Sequence, residues 1–558
     1  MFTFHWYLLP RPSTKILYSY KLIGERKKLD NYSKAMGLTW ILKDVGLALA
    51  VLLLLVLCEI ILSFWIWPNM AYQKLKRFGL TGPSPSFPLG NINDMVAAIK
   101  TNKQSLSTTN VITHDVHSRV FPYYALWQKS YGKVFIHWLG TEPFLYVSDA
   151  EFLKQMSAAV PGKSWGKSNL FRNDRKPMFG SGLVMAEGED WVRHRNVLTP
   201  AFFPTNLKDL ASLMVASTND MIDRWTSIIN SGQQEIDFEK EITTTTGEIV
   251  AKASFGMTNE TGRKVLEKLG VLKQTLFNSN RYVGVPYSKF LCLKKNREAK
   301  RLGDEIDALL LTLINDKIKS KKDGDGSSVA ADREKNLLGM MLADYESAKS
   351  LTTKEIVDEC KTFFFGGHDT VTLALTWTLF LLSVHPEWQN QLREEIKLVV
   401  GDQVVDANML AGLKKMGWVM NEALRLYPPA PHLQRQARYD IQVKEVIIPK
   451  DTNIVIDVMA IMHDREFWGD TVYQFRPERF EADNIYGGCE HKMGYVPFGF
   501  GGRMCIGKNL AIMEYKIVLT LILSRFSFSL SPYYSHSPAI MLSLKPAKGM
   551  PLVVQPLY

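Results

Sequence analysis

From Val45 to Trp67 the chain reads VGLALAVLLLLVLCEIILSFWIW, with Glu59 as its one charged residue. A run this long and apolar has the length of a helix that crosses the hydrocarbon core of a bilayer. Trp65 and Trp67 stand where an aromatic belt would lie. Glu59 is costly at the midplane and tolerable toward one end. A secretory signal fits less well, because the run is too long and no small-residue cleavage site follows. Lys43 precedes the span and Lys74, Lys76 and Arg77 follow it, so charge counting leaves the orientation open. Residues 1–44, an aromatic and basic lead, are expected to be a poorly ordered extension, and Met36 offers a second start just before the apolar span.

Residues 45–67 are therefore expected as a membrane anchor and residues 68–91 as a linker. The linker ends in LTGPSPSFPLGN, where Pro83, Pro85 and Pro88 predict a semi-rigid spacer. A length of 558 residues allows about three to four domains. No interior linker cuts the chain, however, and residues 92–558 read as one domain. Tyr123 to Val147 mixes a short helical pattern with two β-rich runs, and Leu207 to Ser320 is mostly helical. Lys319 to Asn336 lacks periodicity and reads as a polar surface loop.

The net charge of +11 is spread along the chain without a basic run, which argues against a nucleic-acid partner. Five cysteines, Cys58, Cys292, Cys360, Cys489 and Cys505, are scattered and contain no CxxC pair. Neither a disulfide framework nor a structural zinc site fits that spacing, and a reducing compartment follows.

Thr352 and Glu355 form a T-x-x-E capping box, and the helix it starts runs apolar until His385-Pro386. About thirty residues of helix would span roughly 45 Å. Inside lies FFFGGHDTVT, Phe363 to Thr372, where two adjacent glycines cost about 0.5–1 kcal/mol each against alanine. Either something approaches the backbone there or the helix deforms. Asp369 and Thr370 follow, and by themselves they are either a functional acid–alcohol pair or a water-facing Asp beside a Thr bonded to its own backbone. Glu422 and Arg425 lie three apart on one helix face in NEALRLYPPA, and Arg479 follows in FRPERF. Near the end, VPFGFGGRMCIGKNLA surrounds the thiol of Cys505 with glycines and no second cysteine or histidine.

Together these pieces resemble the cytochromes P-450. FGFGGRMCIG matches their haem-binding signature at Phe498, Gly501, Arg503, Cys505 and Gly507. GGHDT resembles the oxygen-groove motif, Glu422 and Arg425 fit E-x-x-R, Arg479 fits P-E-R-F, and Trp191 with Arg195 fit W-x-x-x-R. The likeness spans about Gly82 to Tyr558. Finer likeness is to plant clan 72, nearest to family 715, carried by WLGTEPFLYVSD, NSNRYVGVPYSKF and GYVPFGFGGRMCIGKNL.

The resemblance implies a mainly α fold with small β-sheets behind an N-terminal transmembrane helix. It implies haem b bound through the Cys505 thiolate, a ligand that pushes electron density toward O–O cleavage. By the same likeness Phe498 packs beside the haem, and Trp191, Arg195, Arg435 and Arg503 face its propionates. Asp369 and Thr370 would relay protons, and Glu422, Arg425 and Arg479 would be structural. Gly366 replaces the commoner alanine and Val371 a second hydroxyl residue, which leaves the acid–alcohol pair intact. The implied activity is a monooxygenase acting on a small hydrophobic substrate, terpenoid or hormone-like, with electrons from NADPH through P-450 reductase. The implied location is the endoplasmic reticulum membrane, single-pass, with the catalytic domain cytosolic. An oxygen-independent isomerase and a non-catalytic haem carrier or sensor are the alternatives; an intact Asp369–Thr370 argues against the first. The substrate pocket should draw on Gly162–Val184, Phe363–Val371 and Ala430–Leu433. His368 reads as a space-filling or water-orienting residue, and FGSGL around Ser181 as no nucleophile elbow.

Overall fold

No proline interrupts the chain between Ser13 and Trp67, and an apolar segment in lipid must satisfy its backbone hydrogen bonds internally. The structure, a computed structural model, describes residues 14–106, 112–256, 259–277, 284–322, 336–343, 350–481 and 486–557. The chain divides after Trp67 into two units. The first contains α1 (Thr14–Ile61) followed by a π-helical turn at Leu62–Ile66. Residues 14–44 are helical where a poorly ordered lead is expected, and residues 1–13 of that lead lie outside the described residues. Val45 to Leu57 are exposed along their length, as lipid-facing side chains would be. The Ser63 hydroxyl donates to Glu59 at 2.9 Å, which gives the one charge of the apolar run a partner.

Helices dominate the second unit, and those that carry the site are α2 (Asn169–Phe179), α3 (Gly188–Leu198), α4 (Phe238–Phe255), α5 (Asn259–Phe277), α6 (Leu293–Lys322), α7 (Thr353–Val384), α8 (Lys414–Leu426) and α9 (Lys508–Arg525). Five strands form one mixed sheet: β1 (Val134–Leu139), β2 (Glu142–Val147), β3 (Trp165–Gly166), β4 (His432–Ala437) and β5 (Asn453–Asp457). Their order is β1-β2-β5-β4-β3, with only β2 and β5 parallel. A hairpin of β6 (Pro538–Met541) and β7 (Ser543–Pro546) turns through Leu542 at φ +67°. The polar loop expected over Lys319–Asn336 lies outside the described residues in its central part, 323–335. Lys319–Lys322 continue α6 instead.

Helix α7 organises this unit. Both bonds of the Thr352–Glu355 capping box are formed, and the helix runs 32 residues to its C-cap at His385. Trp377, Leu379 and Phe380 have no exposed surface and sit in the largest core cluster. The glycine pair leaves α7 undeformed. A Cβ on Gly367 would stand 3.2 Å from Val250 of α4, so that glycine is where a neighbouring helix comes close. A Cβ on Gly366 would meet nothing within 4 Å, which leaves the backbone bare on an accessible side.

The Pro-rich segment is not a free spacer. The Thr81 carbonyl accepts from the Ile136 N–H at 2.8 Å, and the Asn91 N–H donates to the Trp138 carbonyl at 2.9 Å. Asn91 Oδ1 accepts in turn from the Trp138 N–H at 2.9 Å, and Gly90 bridges to Leu139. Residues 81–91 thus run along the outer edge of β1. Gly82 is required there, because a Cβ would stand 1.9 Å from the Ile136 carbonyl oxygen. Gly82→Ala should cost about 2 kcal/mol or more, read from the midpoint of denaturant unfolding, because backbone rather than a flexible side chain must move. Gly417→Ala in α8, where the nearest atom is 3.8 Å away, should be neutral or stabilising in the same measurement.

Candidate active site

Glycines let the chain turn tightly around Cys505. Gly499 and Gly501 take φ values of +77° and +59°, a region that side chains with a Cβ rarely adopt. The Cys505 N–H donates to the Phe498 carbonyl at 2.9 Å, closing the loop just before α9. The Cys505 side chain is accessible, yet protein packs around it densely enough that burial pushes its thiol up. The Gly507 N–H and the cations Arg195 and Lys508 oppose that rise and favour the thiolate. Phe498 packs against the largest core cluster, with the Lys508 ammonium 5.8 Å from its ring.

A dianionic macrocycle held by a thiolate needs two things from its protein: a sulfur with backbone donors, and cations without carboxylates of their own. The second is found beside the first. Among the described residues Arg195, Arg435 and Arg503 form no ion pair with Asp or Glu. Burial lowers all three guanidinium pKa values, Arg435 to about 10 and Arg503 to about 9, where Arg435 and Arg195 add repulsion. Clustered, desolvated cations are unfavourable unless an anion joins them. The residues present fit haem and its propionates. Arg503 is also fixed by donating to the carbonyls of Gly162, Ala186 and Trp165 at 2.8, 2.8 and 2.9 Å. Three of its five N–H groups are used this way, which leaves two for a ligand. Its guanidinium lies 4.4 Å from the Trp191 ring, so Trp191 supports that arginine directly. Arg195 donates to the Met504 carbonyl at 3.0 Å, tying α3 to the cysteine loop.

Two further cations belong to this cluster and escaped the sequence reading. Lys167 is half-buried, and desolvation together with Arg435, Arg503 and Arg175 lowers its ammonium pKa well below the usual range. Arg175 on α2 donates to Gln434 Oε1 at 2.8 Å, and its guanidinium lies over the ring of Phe171 at 4.3 Å. The signal available was two basic residues inside Gly162–Val184, a segment already assigned to the pocket. Composition alone reads them as surface charges.

Behind the cysteine loop, Glu422 and Arg425 of α8 have no exposed surface. Arg425 donates Nε to Glu422 Oε2 at 2.7 Å and Nη2 to Oε1 at 2.9 Å, a bidentate pair. Arg479 adds Nε to Glu422 Oε1 at 3.4 Å and clasps Thr471 through its carbonyl and hydroxyl at 2.5 and 2.7 Å. The three residues are brought together as the E-x-x-R and P-E-R-F likeness implies.

On α7 the acid and the alcohol are not joined. The Thr370 hydroxyl donates to the Gly366 carbonyl at 2.7 Å, one turn back. The Asp369 carboxylate turns to Lys273 of α5, Oδ1 to Nζ 2.5 Å, and accepts from the Ser543 hydroxyl at 2.5 Å. His368 Nε2 lies 2.9 Å from the Thr243 carbonyl of α4, and burial pushes its imidazole pKa down. It pins one helix to another. The FGSGL turn is packing: the Ser181 N–H donates to Asp358 at 2.8 Å, and a Cβ on Gly180 would strike that carboxylate.

A family model described as Cytochrome P450 matches residues 108–551. A cytokinin hydroxylase of Arabidopsis thaliana is 38% identical over 527 residues, covering 94% of this chain and 100% of that protein. A second Arabidopsis thaliana protein of the same name is 36% identical over 523 residues, 93% and 99% of the two chains. Cytochrome P450 72A13 of that plant is 31% identical over 512 residues, 89% and 97%.

Cys505→Ala should abolish the thiolate-haem spectrum of the reduced carbon-monoxide complex, since Cys505 is the thiol that the Gly507 N–H, Arg195 and Lys508 act on. An unchanged band would remove Cys505 from the site. Arg435→Leu should retain the band but shed haem faster, measured as transfer of haem to apomyoglobin.

Proposed function

Because this chain belongs to the cytochrome P450 family and is a P450 monooxygenase, we propose that it hydroxylates a small, largely apolar molecule of the plant-hormone class. The near full-length similarity to two cytokinin hydroxylases at 38% and 36% identity favours cytokinins as the first compounds to try. The observation that carries the site is the accessible Cys505 in its glycine cradle beside the desolvated cations Arg435 and Arg503, which pair with no carboxylate among the described residues.

When bound, haem would activate dioxygen for insertion of one oxygen atom into a C–H bond. In this reading Cys505 would supply the thiolate that holds the haem iron, and the Gly507 N–H would temper its charge. Arg195, Arg435 and Arg503, with Trp191 backing Arg503, hold the propionates, and Lys167 and Arg175 add positive charge on the same side. Phe498 packs beside the thiolate. Glu422, Arg425 and Arg479 hold the segment before the cysteine loop against α8. Asp369 and Thr370 would serve proton supply. Electrons would come from NADPH through a separate P-450 reductase in the endoplasmic reticulum membrane, with the second unit facing the cytosol.

Microsomes carrying this protein and a plant reductase, supplied with NADPH, test the substrate class. Hydroxylated product from a cytokinin is expected. Product only from fatty acids or non-hormone terpenoids would overturn the assignment. Thr370→Ala should retain haem and its spectrum while releasing peroxide in place of product, because acid–base assistance is worth about a hundredfold or more. Wild-type product per NADPH in that variant would reduce Thr370 to a threonine bonded to Gly366. The sequon at Asn259 should stay unglycosylated, and a glycosidase-sensitive mass shift there would place the unit on the lumenal side.

A further inference from the structure

The Asp369 carboxylate is held by groups from two elements distant in sequence. Lys273 comes from α5 and Ser543 from the β6–β7 hairpin, 96 and 174 residues away. The three groups close a ring, since Lys273 Nζ also donates to Ser543 Oγ at 3.1 Å. All are sheltered: Lys273 and Asp369 side chains are 13% and 15% exposed and Ser543 is 4% exposed. The ammonium is steered further by the face of Phe365, 5.7 Å away and one turn before Asp369 on α7. Ser543 owes its place to Leu542, which takes a left-handed φ of +67° that a branched, bulky residue rarely adopts. A hairpin that keeps such a residue at its turn aims the following hydroxyl at Asp369. Glu239 of α4 and Lys545 of β7 complete the charged surroundings.

We propose that Lys273 and Ser543 are positioning residues for the proton supply of this monooxygenase, acting through Asp369 and touching neither substrate nor cofactor. Asp369 accepts a hydrogen bond on each carboxylate oxygen, so its rotamer is set by them and not by Thr370. A proton passed toward Thr370 is first taken up from water by this held carboxylate and then released, which returns the carboxylate to its starting charge. Without Lys273 the carboxylate loses its cation and its fixed direction, and proton delivery loses the alignment on which acid–base assistance depends. The role rests on the reading of Asp369 and Thr370 given above, and the test separates the two.

Two measurements are made on the full-length holoprotein. The first is a thermal-unfolding double-mutant cycle of Lys273→Met and Asp369→Asn at fixed scan rate, which needs no substrate. The Lys273→Met substitution should lower the midpoint by several degrees in the wild-type background and by less than half as much when combined with Asp369→Asn. Additive shifts overturn the clamp. The second is peroxide released per NADPH with reductase and the substrate found in the screen above. Lys273→Met should raise that ratio at least threefold and increase the solvent deuterium isotope effect on product formation. Lys273→Arg should bring the ratio within twofold of wild type, and Ser543→Ala should fall between. A ratio for Lys273→Met that matches or lies below wild type, with Asp369→Asn raised, overturns the positioning role alone. An unchanged ratio in Asp369→Asn overturns the acid–alcohol reading together with it.

Discussion

A carboxylate with no exposed surface, Glu422, can exist only because two arginines converge on it. Removing one partner of such a buried pair costs about 3–5 kcal/mol, since an uncompensated charge remains. Arg425 binds it from the same helix and Arg479 from the segment ahead of the cysteine loop, so the network joins α8 to the part of the chain that must deliver Cys505. Arg425 also donates to the Met462 carbonyl and rests 4.9 Å from the Trp468 ring. The Trp468 N–H reaches the Gly494 carbonyl, and the Tyr495 hydroxyl returns to the Asn421 carbonyl of α8. Charge, aromatic face and backbone carbonyls thus pass one positional constraint from α8 to the threshold of the thiolate.

Charge is used in the opposite way on the other side of that loop. Around Glu422 the carboxylate and the two arginines pair within the protein. Around Arg435, Arg503 and Lys167 the protein gathers like charges and leaves the answer to a ligand. The folding free energy given up there is recovered when an anion binds, so cofactor loading and stability are linked.

Local chemistry in the sequence was readable wherever a residue's neighbours in the chain decide its role. The Thr352–Glu355 box, the stop at His385, the glycine turns before Cys505 and the i,i+3 pair Glu422–Arg425 all belong to that class. What escaped was long-range. Asp369 has an adjacent alcohol in sequence, yet its bonds go to Lys273 and Ser543, because α5 and the β6–β7 hairpin bring stronger partners into reach. Lys167 looks like a surface lysine until the folded chain surrounds it with arginines. Prolines and glycines at residues 80–91 signal irregular backbone, and irregular backbone reads as a spacer. Nothing in that composition announces a strand 47 residues further on that offers hydrogen bonds to it.

That bordering segment has a consequence for how the protein is handled. β1 is the outermost strand of its sheet, and unpaired outer strands recruit other chains. Residues 81–91 occupy those hydrogen-bonding positions and so act as a built-in guard against self-association. A shortened form intended for crystallisation has to begin upstream of Leu80. One trimmed to Asn91, at the apparent end of the linker, would lose the Thr81 bond and the Gly90 bridge and leave β1 open to a second copy of the chain.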